Sequence, residues 1–135
     1  KNKKILLPID VVTQQGTNKK IGDLNKQDQI LDLGEKTCNI CESIIKDSST
    51  ILWNGPVGVY EDSRYRHGTN SIAKAISSSD AYSIVGGGDS VAVLKMLDIN
   101  SGIDYISMSG GAFLEYLEKH TLPFIELLAT KEIAC

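Results

Sequence analysis

The chain has 135 residues, of which 41% are hydrophobic and 23% are charged, and its formal net charge is −3 at neutral pH. This composition is typical of one globular domain with a single core, and no apolar run approaches the roughly 20 residues that cross a bilayer. A slightly acidic chain also gives no general electrostatic reason to bind nucleic acid. We therefore expect a cytoplasmic protein that binds neither nucleic acid nor a membrane.

The first half of the chain predicts a strand, a ribbon, a helix and a second strand. Residues 4–7 form an apolar run that predicts a buried strand, and the polar residues 13–28 predict a solvent-exposed ribbon at a sheet edge. Apolar residues recur with helical spacing over residues 35–47, and an apolar strand follows at residues 50–53.

The second half alternates helices and strands. Helices are predicted at residues 61–67, 68–79, 89–97 and 110–119, and strands at residues 82–85 and 104–107. Because strands and helices alternate along the chain, we expect an α/β fold with a doubly wound, mostly parallel, Rossmann-like sheet.

Two of the three cysteines, Cys38 and Cys41, have the Cys-x-x-Cys spacing of redox centres and of zinc half-sites. They share an apolar helical stripe with Ile44 and Ile45, and no second cysteine pair follows. We therefore interpret them as small core residues.

Three basic residues lie together near residue 66. His67 has no acid or nucleophile at catalytic spacing, so we interpret it as structural. We interpret Arg64 and Arg66 as solvated surface charges.

Three consecutive glycines, Gly86, Gly87 and Gly88, follow a predicted strand and precede Asp89 and Ser90, which open a helical pattern. Such a turn leaves backbone N–H groups unpaired at the positive end of a helix dipole, which suits a phosphate group. A carboxylate beside phosphate is typical of a Mg²⁺ ligand, so the motif indicates a magnesium–nucleotide site. The alternative is a turn that serves close packing, with Asp89 as a helix cap.

A second glycine turn, at Gly110 and Gly111, lies about two dozen residues after the first and repeats the order of strand, turn and helix. In a parallel α/β sheet both turns lie at the carboxyl ends of strands, where ligands bind. Two such turns on one edge indicate a ligand site.

An irregular loop after the strand at residues 50–53 carries a third set of candidates. Asn54 offers an amide donor to phosphate, and Glu61 offers a carboxylate to ribose hydroxyls. Pro56 and Val59 form an apolar surface for a base or ribose. The alternative is an ordinary turn with an exposed acid.

Six segments of the chain, taken in order, resemble the carboxyl-terminal part of phosphoglycerate kinase, and the resemblance extends over nearly the whole chain. A run of ordered motifs is far more specific than any one of them. The matching segments are residues 5–12, 31–37, 53–61, 67–69, 86–90 and 107–118.

The resemblance implies a two-domain glycolytic kinase that transfers a phosphoryl group from 1,3-bisphosphoglycerate to ADP, forming 3-phosphoglycerate and ATP. Residues 1–120 correspond to the later portion of the nucleotide-binding domain, and residues 121–135 to a segment that returns to the N-terminal domain. Because that missing domain binds 3-phosphoglycerate, the resemblance implies an inactive fragment of a monomeric enzyme. The alternative is a nucleotide-binding module without catalysis. A Rossmann dehydrogenase is disfavoured because Pro8 stands where its glycine fingerprint would begin.

The resemblance also implies roles for the candidate residues. Asp89 would ligate the Mg²⁺ that accompanies ATP or ADP, and Ser90 would assist phosphate binding. The other implied roles are a nucleotide contact at Gly86, phosphate contacts through the N–H groups of Gly87 and Gly88, a bond from Asn54 to the phosphate chain, a ribose contact at Glu61, a base pocket at Pro56 and Val59, and N–H groups near the transferring phosphoryl at Gly110 and Gly111.

The chain departs from the family around the second glycine turn. Met108 and Ser109 stand where the family usually has Thr and Gly, and Tyr105 stands where His is frequent. Met108 removes a hydroxyl, and Ser109 adds a Cβ where a positive φ is expected. We therefore expect a weakened or re-shaped phosphate contact.

The tail from residue 121 is too apolar for a free terminus, with large apolar side chains concentrated between residues 122 and 128. Such a segment docks on its own chain, drives association with another copy, or stays disordered. We favour self-association of the fragment, because an exposed apolar patch promotes it.

Overall fold

The computed structural model describes residues 5–130, and its first sheet is antiparallel with three strands. These are β1 (Asp10–Thr13), β2 (Asn18–Lys20) and β3 (Ile30–Leu33), in the spatial order β2-β1-β3. β2 lies at an edge of this sheet and is largely exposed to solvent. The predicted polar ribbon at a sheet edge is therefore confirmed.

The second sheet is parallel and carries the candidate site. Its strands β4 (Thr50–Asn54), β5 (Tyr82–Gly86) and β6 (Tyr105–Ser107) lie side by side in chain order. A helix lies between β4 and β5 in the chain, and another lies between β5 and β6, as βαβ units require. The predicted α/β class is confirmed.

The described residues form five α-helices. They are α1 (Glu35–Lys46), α2 (His67–Ser77), α3 (Gly88–Leu97), α4 (Gly110–Lys119) and α5 (Pro123–Thr130). Short 3₁₀ turns follow β2 and α3. Within residues 5–130, every helix is too short or too polar to span a membrane.

The main core joins β4 and β5 of the parallel sheet to α2 and α3. Burial of one large apolar side chain stabilises a fold by about 1.5–3 kcal/mol, so this cluster fixes the strands whose ends form the site. Its buried members are Trp53, Ile72, Ala73, Ile76, Val85, Val93 and Leu94.

The predicted strand at residues 4–7 is wrong for the residues that the structure describes. Residues 5–7 are exposed and have no strand conformation, and Lys4 lies outside the described residues. A strand needs a neighbour for its backbone groups, and no strand among residues 5–130 pairs with these residues.

The predicted helix at residues 61–67 is also wrong, because the segment forms turns up to residue 66. Asp62 accepts the N–H of Arg64 through its carboxylate at 2.9 Å and the N–H of Tyr65 through its carbonyl at 3.0 Å. These bonds close a local turn before α2 begins at His67.

The two cysteines of α1 lie in or beside the core. Cys38 is buried, Cys41 is half-buried, and both are free thiols. Burial raises the pKa of Cys38 to about 11, so its thiolate is scarcely populated at neutral pH. This agrees with their interpretation as core residues, although Ile44 on the predicted stripe is 50% exposed.

Candidate functional site

The three parallel strands end side by side. Asn54 at the end of β4 pairs with Gly86 at the end of β5, and Gly86 pairs with Ser107 at the end of β6. This register places the loop after β4 and both glycine turns at one edge of the sheet. The carboxyl edge of a parallel sheet is where ligands bind in α/β folds.

The two glycine turns touch each other and Asn54. The N–H of Gly87 donates to the carbonyl of Ser107 at 3.1 Å. A Cβ at Gly110 would lie 2.3 Å from Oδ1 of Asn54 and 2.9 Å from the Cα of Gly87, so this position admits no side chain. Gly87 itself has a φ of +93°, which favours glycine. The structure therefore joins three sequence-predicted residues at one point.

The N-terminus of α3 points into this edge without a side-chain cap. Its first intrahelical bond runs from Val91 N–H to the carbonyl of Gly87, so the N–H groups of Gly88, Asp89 and Ser90 have no partner within the helix. Gly87 is the N-cap residue, so the alternative in which Asp89 caps the helix is wrong.

The N-terminus of α4 is built in the same way. Its first intrahelical bond runs from Phe113 N–H to the carbonyl of Ser109, which leaves the N–H groups of Gly110, Gly111 and Ala112 without a partner in the helix. Ser109 has a φ of −114°, so the positive φ expected there is wrong and its Cβ causes no backbone strain.

Two residues of α3 connect it to the loop after β4. The buried hydroxyl of Ser90 accepts the N–H of Gly55 at 2.7 Å. The exposed carboxylate of Asp89 accepts the hydroxyl of Tyr60 at 3.3 Å. Partial desolvation and the Asp89 carboxylate raise the pKa of Tyr60, so this phenol remains a donor. The loop and the first glycine turn are therefore held as one unit.

The loop is further fixed by α2 and β3. The hydroxyl of Thr69 accepts the N–H groups of Val57 and Gly58, each at 3.2 Å, and the N–H of Val59 donates to the carbonyl of Leu31 at 2.9 Å. These bonds satisfy most of the backbone donors of an irregular segment, so the loop has a defined shape.

The predicted base and ribose residues lie on this loop. Pro56 is half-buried, Val59 is 41% exposed, and Glu61 is exposed. Two hydrogen bonds connect this loop to the start of α3, one from Gly55 to Ser90 and one from Tyr60 to Asp89.

Sequence reasoning missed four residues that shape the site. Tyr60, Thr69 and Arg66 hold the loop, and Asp32 holds the N-terminus of α2, where its carboxylate accepts the N–H of Gly68 at 2.9 Å. A buried acid or hydroxyl near a helix start was the available signal for Asp32 and Thr69, but their partners lie 36 and about a dozen residues away in the chain.

The donor set around Asp89 fits Mg²⁺ bound to a nucleotide. Residues 5–130 contain no cluster of three or more His, Cys, Asp or Glu side chains that could hold a metal by themselves. Mg²⁺ in nucleotide sites takes one or two carboxylates, phosphate oxygens and several waters. A single exposed carboxylate beside an open helix N-terminus meets that requirement.

Comparison with known proteins places this chain in a family. The family model for phosphoglycerate kinase matches residues 1–120. A phosphoglycerate kinase of Legionella pneumophila is 46% identical over 131 residues, covering 92% of this chain and 33% of the relative. One of Haemophilus influenzae is 42% identical over 134 residues, covering 94% of this chain and 35% of the relative.

Solved structures give the same result. Phosphoglycerate kinase from Coxiella burnetii matches with a TM-score of 0.83 and 38% identity, over 92% of this chain and 34% of the other. The enzyme from Pyrococcus horikoshii matches with a TM-score of 0.76 and 33% identity, over 90% and 32%. The chain spans about a third of the length of these relatives. It belongs to the phosphoglycerate kinase family.

Proposed function

We propose that this chain supplies the Mg²⁺–nucleotide part of the active site of a phosphoglycerate kinase. The observation that carries this proposal is the meeting of two uncapped helix N-termini, α3 and α4, at the ends of adjacent parallel strands. Both helix dipoles and their unpaired N–H groups favour a polyanion at this point. The whole enzyme would act in glycolysis, in the cytoplasm and as a monomer.

The phosphate chain of ADP or ATP lies against the first glycine turn. Gly88 donates its N–H to phosphate, and Ser90 assists through its N–H while its hydroxyl holds Gly55. Gly86 and Gly87 have no side chains, so they let the phosphate chain approach the backbone closely. The N–H of Gly87 is already bonded to the carbonyl of Ser107, so it is no donor for the ligand.

Asp89 ligates the Mg²⁺ that accompanies the nucleotide. When bound, the metal neutralises the charge of the phosphate oxygens. The carboxylate lies in the first turn of α3, beside the N–H groups that bind phosphate. It interacts with the phosphates through the metal, so like charges do not meet directly. Tyr60 orients this carboxylate through its hydroxyl.

The loop after β4 binds the rest of the nucleotide. Asn54 donates its amide to the phosphate chain from a position between the two turns. Pro56 and Val59 form the apolar surface for the base, and the Glu61 carboxylate accepts the ribose hydroxyls.

The N–H groups of Gly110 and Gly111 stabilise the phosphoryl group during its transfer. In the forward reaction the bond between phosphorus and the acyl oxygen of 1,3-bisphosphoglycerate breaks, and a bond to the terminal phosphate oxygen of ADP forms. The charge spread over the transferring oxygens is stabilised by preorganised donors, which is how proteins catalyse phosphoryl transfer.

The proposed function also divides the chain between two domains. Residues 1–120 belong to the nucleotide-binding domain. Residues 121–135 return to the other domain, which binds 3-phosphoglycerate.

A nucleotide-binding module without catalysis is the second candidate for the 135 residues by themselves. It is favoured by one observation, that the chain spans about a third of its relatives. A coupled assay for ADP formation that depends on 3-phosphoglycerate, applied to the 135 residues and to the natural chain that contains them, separates the two candidates. We expect no such activity from these 135 residues alone, because the groups that orient the acyl phosphate are absent.

The proposed site is tested by adding a methyl group where the protein has room for it. A Cβ at Gly88 or Gly111 would meet no protein atom within 4 Å. In the natural chain that contains these residues, Gly88→Ala and Gly111→Ala should weaken ADP binding about tenfold by blocking close approach to the N–H groups. The thermal midpoint should stay the same or rise, since Ala favours helices.

Gly22→Ala is the matched control, because a Cβ there also meets nothing within 4 Å and the residue lies in a 3₁₀ turn far along the chain from the site. Titration calorimetry with ADP should show unchanged affinity for this variant. Equal ADP affinity in all three variants and the wild type would disprove the proposed phosphate site.

A further inference from the structure

Arg66 is not the solvated surface charge that the sequence suggests. Its Nη2 donates to the carbonyl of Glu61 at 2.8 Å, and its Nη1 lies 3.6 Å from the sulfur of Met96 on α3. Its Nε is buried and has no partner among the described residues. The guanidinium therefore lies across the end of the loop after β4 and against the side of α3.

The neighbouring Arg64 shows what a surface arginine looks like in the same segment. Its side chain is 69% exposed, pairs with Asp62 at 2.6 Å and lies over the ring of Tyr65 at 5.0 Å. All its recorded partners are within two residues in the chain, so it links no separate elements. Arg66, in contrast, joins the loop to a helix 30 residues away.

The stability of α2 does not explain a cation at this position. Arg66 is the N-cap residue of α2, where a positive charge opposes the helix dipole. The first turn contains no acidic residue, and Asp32 already accepts the N–H of Gly68. The contacts of Arg66 therefore point to the loop and not to its own helix.

The contacts of Arg66 act on one end of the proposed site. α3 begins with the glycine turn and Asp89, and Met96 lies two turns later on the same helix. By bonding the carbonyl of Glu61 while resting on Met96, Arg66 fixes the distance between the loop end and α3. A hydrogen bond with a charged donor is among the stronger ones available to a loop.

We propose that Arg66 is a positioning residue that holds the backbone of Glu61 so that the Glu61 carboxylate meets the ribose hydroxyls of the bound nucleotide. The proposal rests on the proposed function, in which Glu61 binds the ribose. It assigns to Arg66 a role in recognition of the sugar and no direct contact with the ligand.

The test uses ligands that differ in one ribose hydroxyl. ADP, 2′-deoxy-ADP and 3′-deoxy-ADP are titrated by calorimetry into the natural chain that contains these residues, as wild type and as Glu61→Ala, Arg66→Ala and the combined variant. Glu61→Ala keeps the carbonyl that Arg66 bonds and removes the carboxylate. It therefore identifies the hydroxyl that matters, as the one whose absence abolishes the effect of the substitution.

Arg66→Ala should weaken ADP binding about fivefold, as expected for loss of one ordinary hydrogen bond, and change binding of the analogue without that hydroxyl less than about twofold. The combined variant should be no weaker than Glu61→Ala, because both substitutions remove one function. Arg64→Ala is the matched control and should leave all three affinities unchanged. Arg66→Lys, which keeps the charge but lacks the planar fork, should lose about twofold for ADP.

The outcomes separate the two proposals. If Glu61→Ala weakens all three ligands equally or not at all, the ribose role of Glu61 is wrong, and the role of Arg66 falls with it. If Glu61→Ala discriminates but Arg66→Ala weakens all ligands equally, only the positioning role is overturned. If Arg66→Ala does not fold, Arg66→Lys decides, and an equal loss for ADP and both analogues overturns the proposal.

Discussion

The N-termini of α1 and α2 are closed by carboxylates of the protein, whereas those of α3 and α4 are open. Asp10 on β1 accepts the N–H groups of Lys36 at 3.1 Å and Thr37 at 2.8 Å in the first turn of α1. Asp32 on β3 accepts the N–H of Gly68 in the first turn of α2. The first turns of α3 and α4 have glycines and no such acceptor among residues 5–130.

This difference separates helix ends that serve the fold from the two helix ends that we propose for ligand binding. Asp10 and Asp32 are almost fully buried, so an uncapped helix end at their positions would leave N–H groups without water or partner. Asp89 is exposed, and the glycine turns before α3 and α4 lie at the edge of the sheet. The dipole that the protein neutralises in α1 and α2 has no such carboxylate partner among residues 5–130 in α3 and α4, as the proposed anion site requires.

The largest effect is expected from removal of the one acid in the first turn of α3. In the natural chain that contains these residues, Asp89→Ala should lower kcat about 100-fold, because the proposed Mg²⁺ ion would lose its carboxylate ligand. Binding of ADP without metal should change less than about twofold, since the carboxylate and the phosphates do not bond directly. Steady-state kinetics and calorimetry with and without Mg²⁺ measure the two quantities.

Tyr60→Phe separates the carboxylate from the hydroxyl that orients it, because it removes the donor to Asp89 and keeps the carboxylate. It should lose much less activity than Asp89→Ala. Equal loss of ADP affinity for Asp89→Ala with and without Mg²⁺ would show that the carboxylate does not act through the metal.

A closed helix end should respond through stability rather than through ligand binding. Burial raises the pKa of Asp10, but hydrogen bonds from Thr37, Asn18 and Lys36 outweigh this and lower it from 3.8 to about 2. At about 1.4 kcal/mol for each pKa unit, Asp10→Asn should lose about 2 kcal/mol of unfolding free energy at pH 7.

The pH dependence has a definite sign. A lowered carboxylate pKa stabilises the fold above the unfolded value of 3.8, and this stabilisation is lost as the pH falls towards 2. Urea unfolding between pH 7 and pH 2 should therefore show the wild type and Asp10→Asn converging at low pH. Thr37→Ser, which keeps the hydroxyl and the N–H, is the control. A difference that stays constant with pH would contradict the capping role.

The open helix ends were predictable from the sequence and the closed ones were not. The glycine turns at residues 86–88 and 110–111 are local patterns of strand, glycine and helix, so neighbouring residues suffice to predict them. Asp10 meets Thr37 across 27 residues, and Asp32 meets Gly68 across 36. Such pairs depend on how β1 and β3 lie against the helices, which local periodicity does not encode.

The same reason accounts for the wrong elements and for Arg66. The strand predicted at residues 4–7 has local apolar character, but a strand also requires a neighbour that the pattern does not supply. Arg66 reads as a surface charge because its acceptors, Glu61 and Met96, lie 5 and 30 residues away. Local sequence thus predicted the glycine turns that the structure brings together at the ends of the parallel strands, but not the contacts that support them.

Removal of α5 is expected to have the smallest effect on ADP affinity and on unfolding free energy, the two quantities that the open and the closed helix ends govern. Phe124 is 68% exposed and Leu128 is 55% exposed, and full burial of one such side chain stabilises by about 1.5–3 kcal/mol. We expect this surface of the 135-residue chain to associate with a second copy. Truncation after His120 should convert a concentration-dependent oligomer into a monomer, as measured by sedimentation, and leave the far-UV spectrum of the α/β core intact. The substitutions Phe124→Ser and Leu128→Ser together provide a milder variant that should act in the same direction. Because α3 and α4 both end before residue 121, ADP affinity and unfolding free energy should change little. Sedimentation of the intact and truncated chains as monomers at the same high concentration would disprove the association, and a large loss of stability would show that α5 serves the fold as the capped ends of α1 and α2 do.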